Sequence, residues 1–77
     1  MSGIVPVHWK KFEKFLISLD CILVREKGEH RIWKKSGLAR PVVIPKKATI
    51  PVFVIKNNLR LLGVSVAQYL EIIRKEF

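Results

Sequence analysis

The chain has 77 residues, with fifteen Lys and Arg against six Asp and Glu, for a net charge of +9. That length makes one domain, residues 1–77, and excludes a second. A single cysteine, Cys21, excludes an internal disulfide and a multi-cysteine zinc site; with two distant histidines besides, neither a metal nor another cofactor is expected.

The elements follow in chain order. Pro6, a residue favoured in first helical turns, predicts a helix start, and Trp9, Phe12, Leu16 and Leu19 give it one apolar stripe. Lys10, Lys11, Glu13 and Lys14 are expected on its outer face, and Asp20 ends the pattern. Cys21 to Arg25 is short and β-branched and reads as a strand. Lys27-Gly28-Glu29 makes a tight turn, and His30 to Lys34 reads as a second strand. After Ser36-Gly37, Pro41 to Pro45 forms a third, with prolines confined to its ends. Ile50 to Ile55 has strand propensity, but Val52, Ile55, Leu59 and Leu62 recur at helical spacing with Gly63 as a C-terminal stop. A helix from Pro51 to Leu62 is therefore expected. Ser65 and Gln68 fit a capping box for a last helix with Val66, Leu70, Ile73 and Phe77 as its stripe. The fold class is α+β: a three-stranded antiparallel meander with helices on one face, in the order α-β-β-β-α-α.

The charge is concentrated. Between Arg25 and Arg60 lie ten bases and only Glu26 and Glu29, a net +8 that leaves +1 for the two ends together. A stretch so polarised attracts polyanions by counterion release; the plain alternative is a solvated surface kept soluble by lysine. The longest run without a charge, Leu61 to Leu70, is ten residues against the roughly twenty that span a bilayer. Met1 to Trp9 lacks a secretory pattern. A soluble, cytoplasmic protein without membrane partners is expected.

A meander brings the end of strand one, the start of strand two and the end of strand three to one edge. Lys27, Gly28, Glu29 and His30 are thus expected beside Pro45, Lys46 and Lys47, with the second helix starting nearby and adding its positive dipole. Lys34, Lys35 and Arg40 belong to the opposite end. One imidazole among lysines suits RNA cleavage. The 2′-OH is an internal nucleophile, so the protein has only to move protons and stabilise an anionic phosphorane, without a metal. The plainer readings are a surface histidine and solvated lysines. His8 reads as structural, Trp33 as core rather than a base-stacking platform, and Cys21 as a small buried hydrophobe.

Val24-Arg25-Glu26-Lys27-Gly28-Glu29-His30-Arg31-Ile32-Trp33 resembles the arginine, glycine and histidine signature of HicA-type toxins, the YcfA-like family. Val42-Val43-Ile44-Pro45-Lys46, Leu59 to Leu62 with Gly63-Val64-Ser65, and Tyr69-Leu70 are similar to the family's third strand, closing helix and tail. The resemblance implies a double-stranded-RNA-binding-domain-like fold, cleavage of mRNA, and a paired HicB-type antitoxin. It also implies a catalytic His30. Lys27, Gly28, Arg31, Lys46 and Lys47 are the candidate RNA-binding residues. The sequence departs from the family at Glu29, where a small residue is usual, and at Lys47, where a second histidine often stands. The expected function is therefore a metal-independent mRNA interferase; the alternative is a catalytically silent RNA-binding module of the same fold. Apolar residues on both faces of strand one (Ile22 and Val24 against Cys21 and Leu23) point to a covered sheet face, by the antitoxin or by a second copy in a homodimer.

Overall fold

Pro6 and Val7 run extended in the computed structural model, which describes residues 3–76, and the first helix starts later than its sequence suggests. Ile50 N donates to Val7 O at 2.7 Å in an isolated antiparallel bridge. Backbone held in that bridge cannot turn helical, so α1 runs Trp9–Ser18 with His8 as its N-cap (φ −65°, ψ 145°). The N–H groups of its first turn are all taken: Trp9 N by Lys47 O (3.2 Å), Lys10 N by His8 Nδ1 (3.1 Å) and Lys11 N by His8 O (3.0 Å). His8, expected near the start of the helix as a structural residue, has a structural duty as its cap.

Phe12 and Leu16 of the α1 stripe are fully buried, and so is Phe15. Glu13, expected on the outer face, is only 8% exposed. Its burial is made tolerable by hydrogen bonds from Arg31 and Trp33, described below.

The strands are β1 (Ile22–Lys27), β2 (His30–Lys34) and β3 (Val42–Pro45), in the spatial order β1-β2-β3 and antiparallel throughout. Gly28, with φ +60°, takes the first position of the two-residue turn between β1 and β2, where a side chain would be strained. β1 begins one residue after Cys21 and runs two beyond Arg25. Cys21 is buried at its entrance, and that burial pushes the thiol pKa up, as befits a small hydrophobe.

The helices α2 (Val52–Leu62) and α3 (Val66–Glu76) complete the predicted order. Pro51 is the N-cap of α2, and Gly63, left-handed at φ 71°, ends it. Ser65 and Gln68 exchange the two bonds of a capping box, at 2.9 and 3.1 Å. On α3, Tyr69 and Ile73 are buried and Val66 and Leu70 half-buried, while Phe77 lies outside the described residues.

Val42 and Ile44 are fully buried while Val43 between them is 42% exposed, so the helices cover one face of the sheet and leave the other open. Phe12 and Phe15 of α1 meet Tyr69 of α3 at ring distances of 6.1 and 4.9 Å over the covered face. Burying such rings is worth roughly 1.5–3 kcal/mol each, and the edge-on Phe15–Tyr69 pair adds to that.

Candidate functional site

His30 opens β2, directly opposite Lys27 on β1 and Pro45 on β3. Cross-strand partners share a face, so these three form the end rung of the open face. The next rung is Arg25, Ile32 and Val43, and Ile22 with Lys34 lies beyond. Simple alternation along β1 would put Arg25 and Lys27 on the covered face with Leu23. The register shifts between Leu23 and Arg25, leaving Val24 as the extra residue of a bulge. The bulge turns Arg25 and Lys27 to the open face beside His30 and turns Glu26 toward the helices.

The covered face at the same end holds a polar chain. The buried Glu13 Oε2 accepts from Arg31 Nε and from Trp33 Nε1, the latter at 3.0 Å. Arg31 Nη1 donates to Glu26 Oε1 at 2.8 Å, and Lys46 Nζ to Glu26 Oε2 at 3.3 Å. Hydrogen bonds from Arg31 first and Lys46 second hold the Glu26 carboxyl below the usual carboxylate range. The Trp9 ring lies under three cations: the Arg31 guanidinium at 5.1 Å, Lys10 Nζ at 5.6 Å and Lys46 Nζ at 5.7 Å.

The expected site is thus divided between two faces. Lys27, Gly28, His30 and Lys47 come together at one end of the sheet as anticipated, with Lys46 N donating to Glu29 O at 2.7 Å to close that end. Lys27, His30 and Lys47 are exposed. Arg31 belongs to the opposite face from His30, and its guanidinium is committed to two carboxylates. Lys46 is half-buried and paired with Glu26. Gly28 and Glu29 form the turn, as expected, while Lys27 belongs to β1. The helix end that hydrogen bonds bring to Lys47 is that of α1, through Trp9 N. Trp33 is core, 4% exposed. Lys34, Lys35 and Arg40 line a separate cleft with Pro41.

Three residues of this region escaped the sequence reading: Trp9, Glu13 and Glu26. Glu13 follows Trp9 by four residues, on the flank of the apolar stripe, and that spacing is its one local signal. The register of Glu26 depends on the bulge, which leaves no mark in composition.

The family model described as HicA toxin of bacterial toxin–antitoxin matches residues 9–64, more than half of the chain. The chain belongs to the HicA toxin family. No curated protein and no solved structure matches it. The HicA match runs from the first residue of α1 to just past α2, so it contains both faces of the site and leaves α3 outside. As a HicA toxin, the chain belongs to a system in which an antitoxin is its counterpart. Among the described residues, no helix is long and apolar enough to cross a membrane.

Proposed function

We propose that this HicA toxin cleaves mRNA without a metal, with His30 as the proton-transfer group. The observation that carries the reading is the end rung of the open face, where His30 pairs with Lys27 and Pro45 and the chain continues into Lys46 and Lys47. RNA brings its own nucleophile. The imidazole takes the 2′-OH proton or protonates the leaving 5′-oxygen, and Lys27, Lys47 and Arg25 offset the charge of the phosphorane. Gly28 lets the turn approach the backbone without a side chain in the way.

A paired antitoxin of the HicB type would cover the open face. Ile22 is 67%, Val24 48% and Val43 42% exposed there, an apolar strip that a partner's side chains could cover. A second copy would set +9 against +9, so an acidic antitoxin is the better occupant than a homodimer partner.

The silent binding module is favoured by one observation. Among the described residues no hydrogen bond or ion pair orients the His30 imidazole, whereas general bases are commonly aimed by a third group. The deciding experiment is digestion of a single-stranded RNA by wild type and His30→Ala, with product ends identified. Cleavage to a cyclic 2′,3′-phosphate that is lost in His30→Ala and blocked by deoxyribose at the cut supports the proposal. RNA that is bound and never cut supports the silent module.

A further inference from the structure

The Glu26 carboxylate holds two cations in the manner of a phosphate. Each of its oxygens takes one donor, Oε1 from Arg31 Nη1 at 2.8 Å and Oε2 from Lys46 Nζ at 3.3 Å. A backbone phosphodiester likewise offers two anionic oxygens on one centre and suits the same fork. We propose that Arg31 and Lys46 form a subsite for an RNA backbone phosphate and that Glu26 is its resting occupant, displaced when RNA arrives. The inference rests on the RNA reading above and adds to it a built-in competitor.

The cations are fixed from behind and the occupant is not. Arg31 Nε is anchored on Glu13, whose side chain is 10% exposed, whereas that of Glu26 is 40% exposed. Trp9 supports both cations from one ring, and the hydrogen bond from Lys46 N to Glu29 O fixes the backbone that carries Lys46. Release of Glu26 therefore leaves both donors in position. The exchange also trades one singly charged anion for another, so the cations are never left unpaired, which is the costly condition for partly buried charge. Lys46 follows Pro45, the cross-strand partner of His30, so the subsite and the imidazole share one end of the sheet while facing opposite sides of it.

The test compares Glu26→Gln with Glu29→Gln. Both remove one negative charge from the same end of the sheet, but Glu29 holds neither cation. The probe is a 2′-O-methyl single-stranded oligonucleotide, which cannot be cut through a 2′-OH. Glu26→Gln should bind it about fivefold more tightly than wild type, and Glu29→Gln less than about twofold. In a Lys46→Met background the gain from Glu26→Gln should shrink to that of Glu29→Gln, because the competitor acts through the lysine. Equal gains from the two substitutions, or an undiminished gain without Lys46, would overturn the subsite while leaving RNA binding intact. Failure of wild type and both variants to bind the oligonucleotide would bring down the RNA reading and this inference together. Replacing chloride by inorganic phosphate at equal ionic strength should preserve the difference between Glu26→Gln and wild type. Erasure of that difference would make the subsite one for free phosphate and overturn its assignment to RNA.

Discussion

His30 and Arg31 are adjacent in sequence and occupy opposite faces of the sheet, His30 on the open face and Arg31 against Glu13 of α1. Substituting them should therefore damage the protein in different ways. His30→Ala removes an exposed side chain with no bonded partner among the described residues, so thermal stability should change by less than about 0.5 kcal/mol. Its cleavage rate should fall roughly a hundred- to ten-thousandfold. Arg31→Ala strips Glu13 of its cation and should lower the melting temperature first. Melting curves set beside single-turnover cleavage rates check both, and a destabilised His30→Ala protein with normal specific activity would reverse the assignment.

Glu13→Ala should be among the most destabilising changes outside the apolar core. It leaves Trp33 Nε1 buried without an acceptor and Arg31 with the exposed Glu26 alone, each a loss of about 1–3 kcal/mol in a well-buried setting. Arg31 is partly exposed, so its share is at the lower end of that range. In a Trp33→Phe background the orphaned donor is absent, and the cost of Glu13→Ala should shrink. Urea denaturation of the four proteins in this cycle gives the coupling directly.

Affinity for RNA should fall steeply with salt. Four phosphate contacts, from cations such as Arg25, Lys27, Lys46 and Lys47, predict a loss of about 30–100-fold in single-strand affinity between roughly 50 and 200 mM salt. Titrations at several salt concentrations measure the slope. A flat response would mean that the concentrated charge serves something other than a polyanion. Reversing Lys47 to Glu should weaken binding to all sequences alike, since phosphate contacts carry no base information.

Tyr69 is 1% exposed, and its hydroxyl has no hydrogen-bond partner among the described residues. Burial pushes its pKa up to about 12 from an ordinary 10. The folded state therefore keeps a proton that the unfolded state gives up above pH 10. The stability held below pH 10 should be lost as pH rises through about 12. Tyr69→Phe should flatten that alkaline decline and be neutral or mildly stabilising at pH 7, because it removes an unsatisfied buried group. Denaturant midpoints followed from neutral to alkaline pH for both proteins check the two effects together.

Most of the fold was legible because local chemistry and tertiary packing agree. The spacing of Val52, Ile55, Leu59 and Leu62 outweighed a β-branched run, and Gly63 and the Ser65–Gln68 box marked the ends of two helices. The start of α1 lies later than Pro6 predicts, because proline is a general signal while the bridge between Val7 and Ile50 is a contact across more than forty residues. Glu13 lies inside although a carboxylate among lysines on a helix is normally solvated; its buried partners come from β2 and have no local trace. At the site, the edge shared by Lys27, His30 and Pro45 followed from meander topology alone. The division of His30 from Arg31 also follows from strand alternation, but the capture of Arg31 and Lys46 by Glu26 does not. It comes from the two-residue turn, which sets Glu26 opposite Arg31, together with the extra residue at Val24, which lets Leu23 still pair with Trp33.

That bulge makes residue count in β1 a variable in its own right. Deleting one residue between Leu23 and Lys27 would restore plain alternation, since Leu23 and Lys27 would then be three apart rather than four. Loss of Val24 alone would leave Leu23 opposite Trp33 and Lys27 opposite His30, each on its present face, and would remove only the bulge's local bend and twist. Straightening the strand at its present length is what would reverse one end of it, taking either Leu23 from the core side or Lys27 from the face of His30. Comparisons of this toxin with its relatives should therefore align the distance from Cys21 to Gly28 before they compare the residues within it.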